Sequence, residues 1–341
     1  MILHSSKVGF ARKTASVVLA AAFIVAIAGC SDLPQTASGC TPVAKAGAAS
    51  RAIDANGKFG ENPEAKIPTP TVAKTVQISV PREGKGRLLG TDDIARLQYT
   101  IYKGDAGTPL FSSGATGTYT ADGALQSTIG AKRTIDPIGH NLVCQRVGSR
   151  VITVLDATDF FGSAAQATAN NLQGTDTLIV ITDLTEGFRG RATGILQPLK
   201  SGFPSVVTAP DGTPGLTFDL QSPPKTLQSE TVRRGSGAKV KQGDTILLQI
   251  QGVEWSTPPA TDTFVSTWTK HQPTPTIAAS ITQNAGSILD PGSAKSLIGQ
   301  TVGSQVIVVV PPKYGYPSGK APSGYPTGST LVFVYDILGI E

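Results

Sequence analysis

Along this chain short apolar runs alternate with polar residues, or crowd β-branched residues together, between breaks rich in Gly and Pro. In the first half the runs are T-V-Q-I-S-V (75–80), A-R-L-Q-Y-T-I-Y (95–102), S-R-V-I-T-V-L (149–155) and D-T-L-I-V-I-T-D-L (176–184). Each predicts a strand. Asp136 to Val143 predicts a brief helix ahead of Gly148. In the second half strands are predicted at Leu227–Arg233, Thr245–Val253, Gln305–Val310 and Thr330–Leu338, with weaker ones over 262–269 and 280–289. Pro291 and Gly292 open a short helix through Leu297, and Gly299 closes it.

The two halves repeat. L-V-C-Q-R-V-G-S-R-V-I-T-V-L (142–155) aligns with L-I-G-Q-T-V-G-S-Q-V-I-V-V-V (297–310), and D-T-L-I-V-I-T-D-L parallels S-T-L-V-F-V-Y-D-I. Such repetition predicts a duplicated unit rather than one large fold. The connecting stretch 188–224 is dense in Pro and Gly and reads as a linker, with the part near Leu216 to Leu220 a candidate to pack on either domain.

Composition sharpens this picture. The 341 residues include 38 Gly and 24 Pro, with 39% hydrophobic and 16% charged residues, which suits a folded, loop-rich, strand-dominated chain. The formal net charge of +5 comes partly from Lys7, Arg12 and Lys13 at the start, and no dense basic block follows. Nucleic acid is therefore not an expected partner. Three histidines and three cysteines form no metal-ligand spacing, and no G-x-S-x-G elbow is present. No cofactor or metal is expected. A solute-binding lipoprotein would need two α/β lobes about a cleft, and the strand-rich repeat argues against it.

Residues 1–29 pair a basic start with an apolar core and read as an export signal. The I-A-G-C box at 27–30 resembles a bacterial lipoprotein signal, which implies lipidation of Cys30 and attachment to the outer face of the cell membrane. Residues 30–70 are rich in Ala, Gly, Ser and Pro and are expected to be a flexible tether. Outside the cytoplasm Cys40 and Cys144 are free to form a disulfide, or to remain one buried and one exposed thiol.

The stretch from Leu297, L-I-G-Q-T-V-G-S-Q-V-I-V-V-V-P-P-K-Y-G-Y-P, and the closing T-L-V-F-V-Y-D-I-L resemble the C-terminal half of FKBP-type peptidyl-prolyl cis/trans isomerases. The turn glycines, paired tyrosines and strand phenylalanine recur in register. The resemblance implies an α+β architecture of two such domains, each a strongly curved antiparallel sheet wrapped around a short helix. A degenerate copy would span 71–187 and an isomerase copy 225–341, as in tandem-domain actinobacterial lipoproteins of the family. It implies Tyr316, Phe333 and Phe264 as catalytic residues, with Leu289, Tyr325, Trp268 and Ile250 lining the substrate pocket. X-Pro bonds of exported polypeptides would be the substrate, macrolides are candidate ligands, and a monomer is expected. No bond is broken in this reaction, so an apolar aromatic cradle suffices.

The departures from the family pattern lie in the same pocket. Ile250 replaces a strand tyrosine, Val265 an aspartate, and Ser293 the tryptophan of the pocket floor, where Trp268 is expected to fill some of the volume. The first copy keeps Tyr99 but has Ser112, Ile138, Phe161 and Val180 at other pocket positions. The resemblance thus implies reduced isomerase activity or, alternatively, a non-catalytic prolyl-peptide-binding chaperone or scaffold.

Overall fold

The computed structural model describes residues 40–340, apart from 114–124, 132–135, 219–221, 256–262, 269–276, 281–287, 317 and 319. The leader and Cys30 lie outside the described residues. In chain order the elements begin with α1 (Ala48–Ala52), β1 (Asp54–Asn56), β2 (Glu64–Lys66), β3 (Gln77–Arg82), β4 (Ile94–Lys103), β5 (Pro109–Ser112) and β6 (Leu125–Thr128). Next come α2 (Pro137–His140), β7 (Arg150–Asp156), α3 (Ala157–Phe161), α4 (Ala164–Ala169), β8 (Thr177–Phe188), β9 (Ile195–Leu196), β10 (Ser205–Thr208) and β11 (Pro214–Thr217). The last group is β12 (Gln228–Arg234), β13 (Thr245–Trp255), β14 (Thr263–Ser266), β15 (Ile277–Ser280), α5 (Pro291–Leu297), β16 (Gln305–Val310), a 3-10 turn (Pro312–Tyr314) and β17 (Thr330–Ile340).

The strands form four antiparallel sheets. The six-stranded sheet runs β3-β7-β8-β4-β5, with β6 also on β4, and the seven-stranded sheet runs β14-β13-β17-β16-β12-β9, with β15 also on β13. Reversed, the second order β12-β16-β17-β13-β14 matches the first strand for strand. The sequence repeat falls on β7 and β16, at equivalent places in the two ladders.

These central strands are buried on both faces. In β16, Val306, Val308 and Val310 join a core with α5 residues Ala294 and Leu297. Ile307 and Val309 point the other way, into a core with Val332 and Val334 that is covered by Leu199, Phe203, Val206, Leu216 and Phe218. The six-stranded sheet repeats the plan. Val151 and Leu155 face a core with Ile138, Leu142 and Phe160. Ile152 and Val154 face Ile53, Ala55 and Ala73. Strands apolar at consecutive positions require a layer on each side.

This plan overturns the expected architecture. The fold is α+β, but among the described residues its sheets are neither closed nor strongly curled, and none wraps around a helix. The described helices span four to seven residues. Helix α2 is a single turn opened by Pro137, and Cys144, at φ 67°, takes the left-handed conformation just beyond it. A one-turn helix cannot cover a six-stranded sheet, so other segments supply the layers. Residues 48–66, expected to lie in a flexible tether, form α1, β1 and β2 and cover one face. The Cys40–Cys144 disulfide ties this segment down across a separation of 104 residues. Residues 195–217, expected to be linker, add β9 to a sheet edge and fold the β10–β11 hairpin over the seven-stranded sheet.

One register position distinguishes the two sheets. Arg150 on β7 faces Asp183 on β8, and their buried side chains make a two-pronged ion pair at 2.7 and 2.8 Å. The equivalent pair on β16 and β17 is Gln305 and Asp336. Gln305 donates from Nε2 to Asp336 at 2.8 Å, and the backbone N–H of Ala192 donates to the same carboxylate at 2.7 Å.

Candidate functional site

The site is organised by the start of α5. Asp290 caps the helix, accepting from the Ser293 backbone N–H at 2.8 Å and from the Ser293 hydroxyl at 2.7 Å, while Pro291 fixes the first turn. Burial pushes the Asp290 carboxyl pKa up, against the opposing pull of these hydrogen bonds. The Ser293 oxygen in turn accepts from the Tyr335 hydroxyl at 2.9 Å. Tyr335 is fully buried and stacks on Phe333 with centroids 5.4 Å apart. Desolvation holds its phenol well above the ordinary range, so it stays a neutral donor.

Above this floor the aromatic side chains converge. Phe264, on β14, meets Phe333, on β17, edge to face at 5.6 Å. Tyr325 reaches in from the loop before β17, at 4.9 Å from Phe264, 5.5 Å from Tyr316 and 6.5 Å from Phe333. Leu289 and Ile250 are buried in the same core. The Tyr316 hydroxyl donates to the Ile288 carbonyl at 2.6 Å. Burial raises the Tyr316 phenol pKa strongly and takes that of Tyr325 to about 12, with smaller contributions from neighbouring groups including Asp290. Both remain neutral at physiological pH.

Of the seven pocket residues expected from the sequence, six meet here. Trp268 does not. Its ring lies beside Gly212 and Arg191 of the connecting segment, where a Cβ at position 212 would come within 2.8 Å of the indole and 2.9 Å of Arg191 Cδ. Tyr335 occupies the floor beside Ser293 instead, a role that the sequence reading did not assign. Its signal was the two-residue spacing from Phe333, which puts both rings on one face of β17. Gly252 was missed too. It pairs with Val265 and Phe333, and an added Cβ would stand 2.5 Å from Val265, 2.9 Å from Phe264 and 3.0 Å from Phe333. Its bare backbone lets the rings close up. Tyr335→Phe would leave Ser293 without its donor, and we expect a loss of about 1 kcal/mol in urea unfolding, read from the midpoint.

Beside the cluster lies an open cleft of about 700 Å³, lined by Leu227, Pro291, Lys295, Lys313, Tyr314 and Tyr316 among others. Tyr316 is thus the wall shared between cleft and cluster. Phe333, Phe264 and Leu289 do not line the cleft.

Among the described residues, the aromatic side chains of the first half do not converge in this way. Tyr99 pairs with Phe111 at 5.6 Å, and Phe111 is 53% exposed. Phe161 instead meets Phe160 at 4.9 Å in α3. Ile138 and Val180 are buried core residues. Burial, with Asp136 nearby, pushes the Tyr99 phenol pKa to about 12.

No family model matches the sequence, and no curated protein matches it. Among solved structures the chain has distant similarity to FKBP-fold proteins. The three FKBP domains of wheat FKBP73 share 13% identity, with 78% of this chain and 94% of that chain covered and a TM-score of 0.30. FkpA from Escherichia coli shares 22% identity over 42% of this chain and 53% of its own, with a TM-score of 0.29. FKBP12 from Mycobacterium tuberculosis shares 24% identity over 35% of this chain and 88% of its own, with a TM-score of 0.25.

Proposed function

We propose that this chain binds proline-containing segments at the Tyr316–Phe264–Phe333 cluster and speeds rotation about their X-Pro bonds. The observation that carries this reading is the convergence of these three rings beside an open cleft, with Tyr316 shared by both. Rotation of an X-Pro bond faces a barrier of about 20 kcal/mol and needs no acid, base or nucleophile. An apolar ring cradle grips the pyrrolidine, and a neutral phenol donates to the amide carbonyl as resonance is lost. For that, the Tyr316 hydroxyl must exchange its bond to the Ile288 carbonyl for one to the ligand. Activity is reduced, because Ile250 and Val265 supply no polar partner at the reacting bond and Ser293 supplies no apolar floor.

The natural substrates are exported polypeptides folding outside the membrane, where Cys30 anchors the chain by lipid. Support comes from the leader, and from the Cys40–Cys144 bridge, which suits an oxidising compartment. The two halves descend from one ancestral unit, and the first, whose described aromatic residues form no such box, is structural. A binding-only chaperone is the second reading, favoured by the internal hydrogen bond of Tyr316.

Proline-limited refolding of a client chain distinguishes them. With the full protein present we expect a faster slow phase. Tyr316→Phe should reduce that acceleration about tenfold, the value of one transition-state hydrogen bond, and Phe333→Ala should reduce it further. An unchanged slow phase at saturating protein would remove the enzymatic reading.

A further inference from the structure

Among the three residues assigned to grip a prolyl ring stands another ring of the same chain. Tyr325 contacts both Tyr316 and Phe333, at 5.5 and 6.5 Å, and it closes edge-on against Phe264 at 4.9 Å. Tyr325 is thus in ring contact with every aromatic residue assigned to the cradle. Phe333 is fully buried, so its face is out of a ligand's reach while Tyr325 stays in place. The one polar group assigned to the amide, the Tyr316 hydroxyl, is meanwhile satisfied internally by Ile288.

The segment that carries Tyr325 is made to pivot. Its N–H donates to the Pro322 carbonyl at 3.1 Å, closing a tight turn. Gly324 and Gly328, at φ +85° and +79°, flank the tyrosine on either side, with no atom within 4 Å of an added Cβ at either. Those open, left-handed glycines can absorb a backbone rotation that side-chain-bearing residues resist. Thr330 starts β17, whose ladder is unaffected by a swing that ends at Gly328.

We infer that Tyr325 is a built-in occupant of the aromatic site, and that a ligand ring enters only when the 322–329 turn swings outward about Gly324 and Gly328. The identity of the ligand as a prolyl peptide rests on the proposed function; the self-occupancy rests on the ring geometry. The affinity observed for a ligand is then the intrinsic affinity lowered by the fraction of molecules with the ring out.

Two probes separate these dependencies: p-cresol, which is the tyrosine side chain alone, and an end-blocked Ala-Ala-Pro-Ala peptide. Each is titrated by calorimetry into the full protein as wild type, Tyr325→Ala and Tyr325→Phe. We expect p-cresol to bind Tyr325→Ala only, filling the vacated seat. The peptide should bind Tyr325→Ala at least about tenfold more tightly than wild type, with Tyr325→Phe matching wild type. Should p-cresol enter Tyr325→Ala while the peptide binds none of the three, self-occupancy stands and the prolyl reading falls. Equal peptide binding to all three, with p-cresol binding none, overturns self-occupancy and leaves the prolyl reading in place. If the alanine variant folds poorly, Tyr325→Leu keeps apolar volume without the ring. Its peptide affinity should lie between wild type and the value expected for alanine, and an affinity equal to wild type overturns the proposal.

Discussion

Asp183→Ala is expected to lower the unfolding free energy by about 3–5 kcal/mol, the largest single loss in the molecule. The cost arises from what stays behind. Arg150 is 3% exposed and Asp183 is wholly buried, and truncating the acid strands a guanidinium that water cannot reach. The guanidinium also holds the carbonyls of Asn56 and Lys58, and Asp183 accepts from the Gly60 N–H at 2.7 Å. The pair therefore fastens the 54–60 segment to the sheet as well as joining two strands. Urea unfolding of the variant, followed by far-UV circular dichroism, reads the loss from the midpoint. A decrease below about 1 kcal/mol would mean that water already screens the pair.

At the equivalent place in the other sheet the expected effect has the opposite sign. Asp336 faces a neutral Gln305, and burial raises its carboxyl pKa from 3.8 to about 6, against smaller lowering effects of the Ala192 N–H, Gln305 and two arginines. A carboxyl raised in the folded state favours the protonated form. Its stabilising contribution is complete below about pH 4 and is lost as pH climbs through about 6. From this group alone the fold should be about 2–3 kcal/mol weaker at pH 7.5 than at pH 3.5. Asp336→Asn removes the titration. The new amide can still accept from Ala192, and Gln305 can turn its Oε1, which has no partner among the described residues, toward it. We expect the variant to gain about 2–3 kcal/mol at pH 7.5 and nothing at pH 3.5, measured by urea unfolding across that range. A wild-type-minus-variant difference that stays flat with pH would show that Asp336 titrates normally.

These two positions also show what the sequence made legible. Both acids were visible inside the T-D-L and Y-D-I ends of strands, and the central strands were read to within a few residues. Helix α5 matches the reading at both ends, because Pro291 and Gly299 are local signals. What failed was the second layer. V-I-V-V-V is apolar at every position, and that run alone says that both faces of β16 are covered, without saying by what. The covering segments, around Ile53 and around Phe203 and Leu216, are Pro-, Gly- and Ala-rich and resemble spacers in composition. Their role is set by contacts far away along the chain, which no local pattern records.

The aromatic cluster divides in the same way. Tyr316, Phe264 and Phe333 were legible because the motif around each is short and contiguous. The surroundings of Trp268 were not legible because its ring lies against Gly212, more than fifty positions earlier in the chain. Tyr335 was overlooked because a tyrosine on a buried strand reads as core until its hydroxyl is found on Ser293.

The cover over the seven-stranded sheet matters to anyone who divides the gene. A fragment beginning at residue 225 would discard Leu199, Phe203, Val206 and Leu216 and bare Ile307, Val309, Val332 and Val334 to solvent. It would also lose Ala192, the backbone donor to Asp336. Phe188 and Ile94 reach the same sheet at Leu247 and Leu338, so the segment that looks like a hinge belongs with the piece that follows it, and the sheet keeps a contact with the strands that precede it.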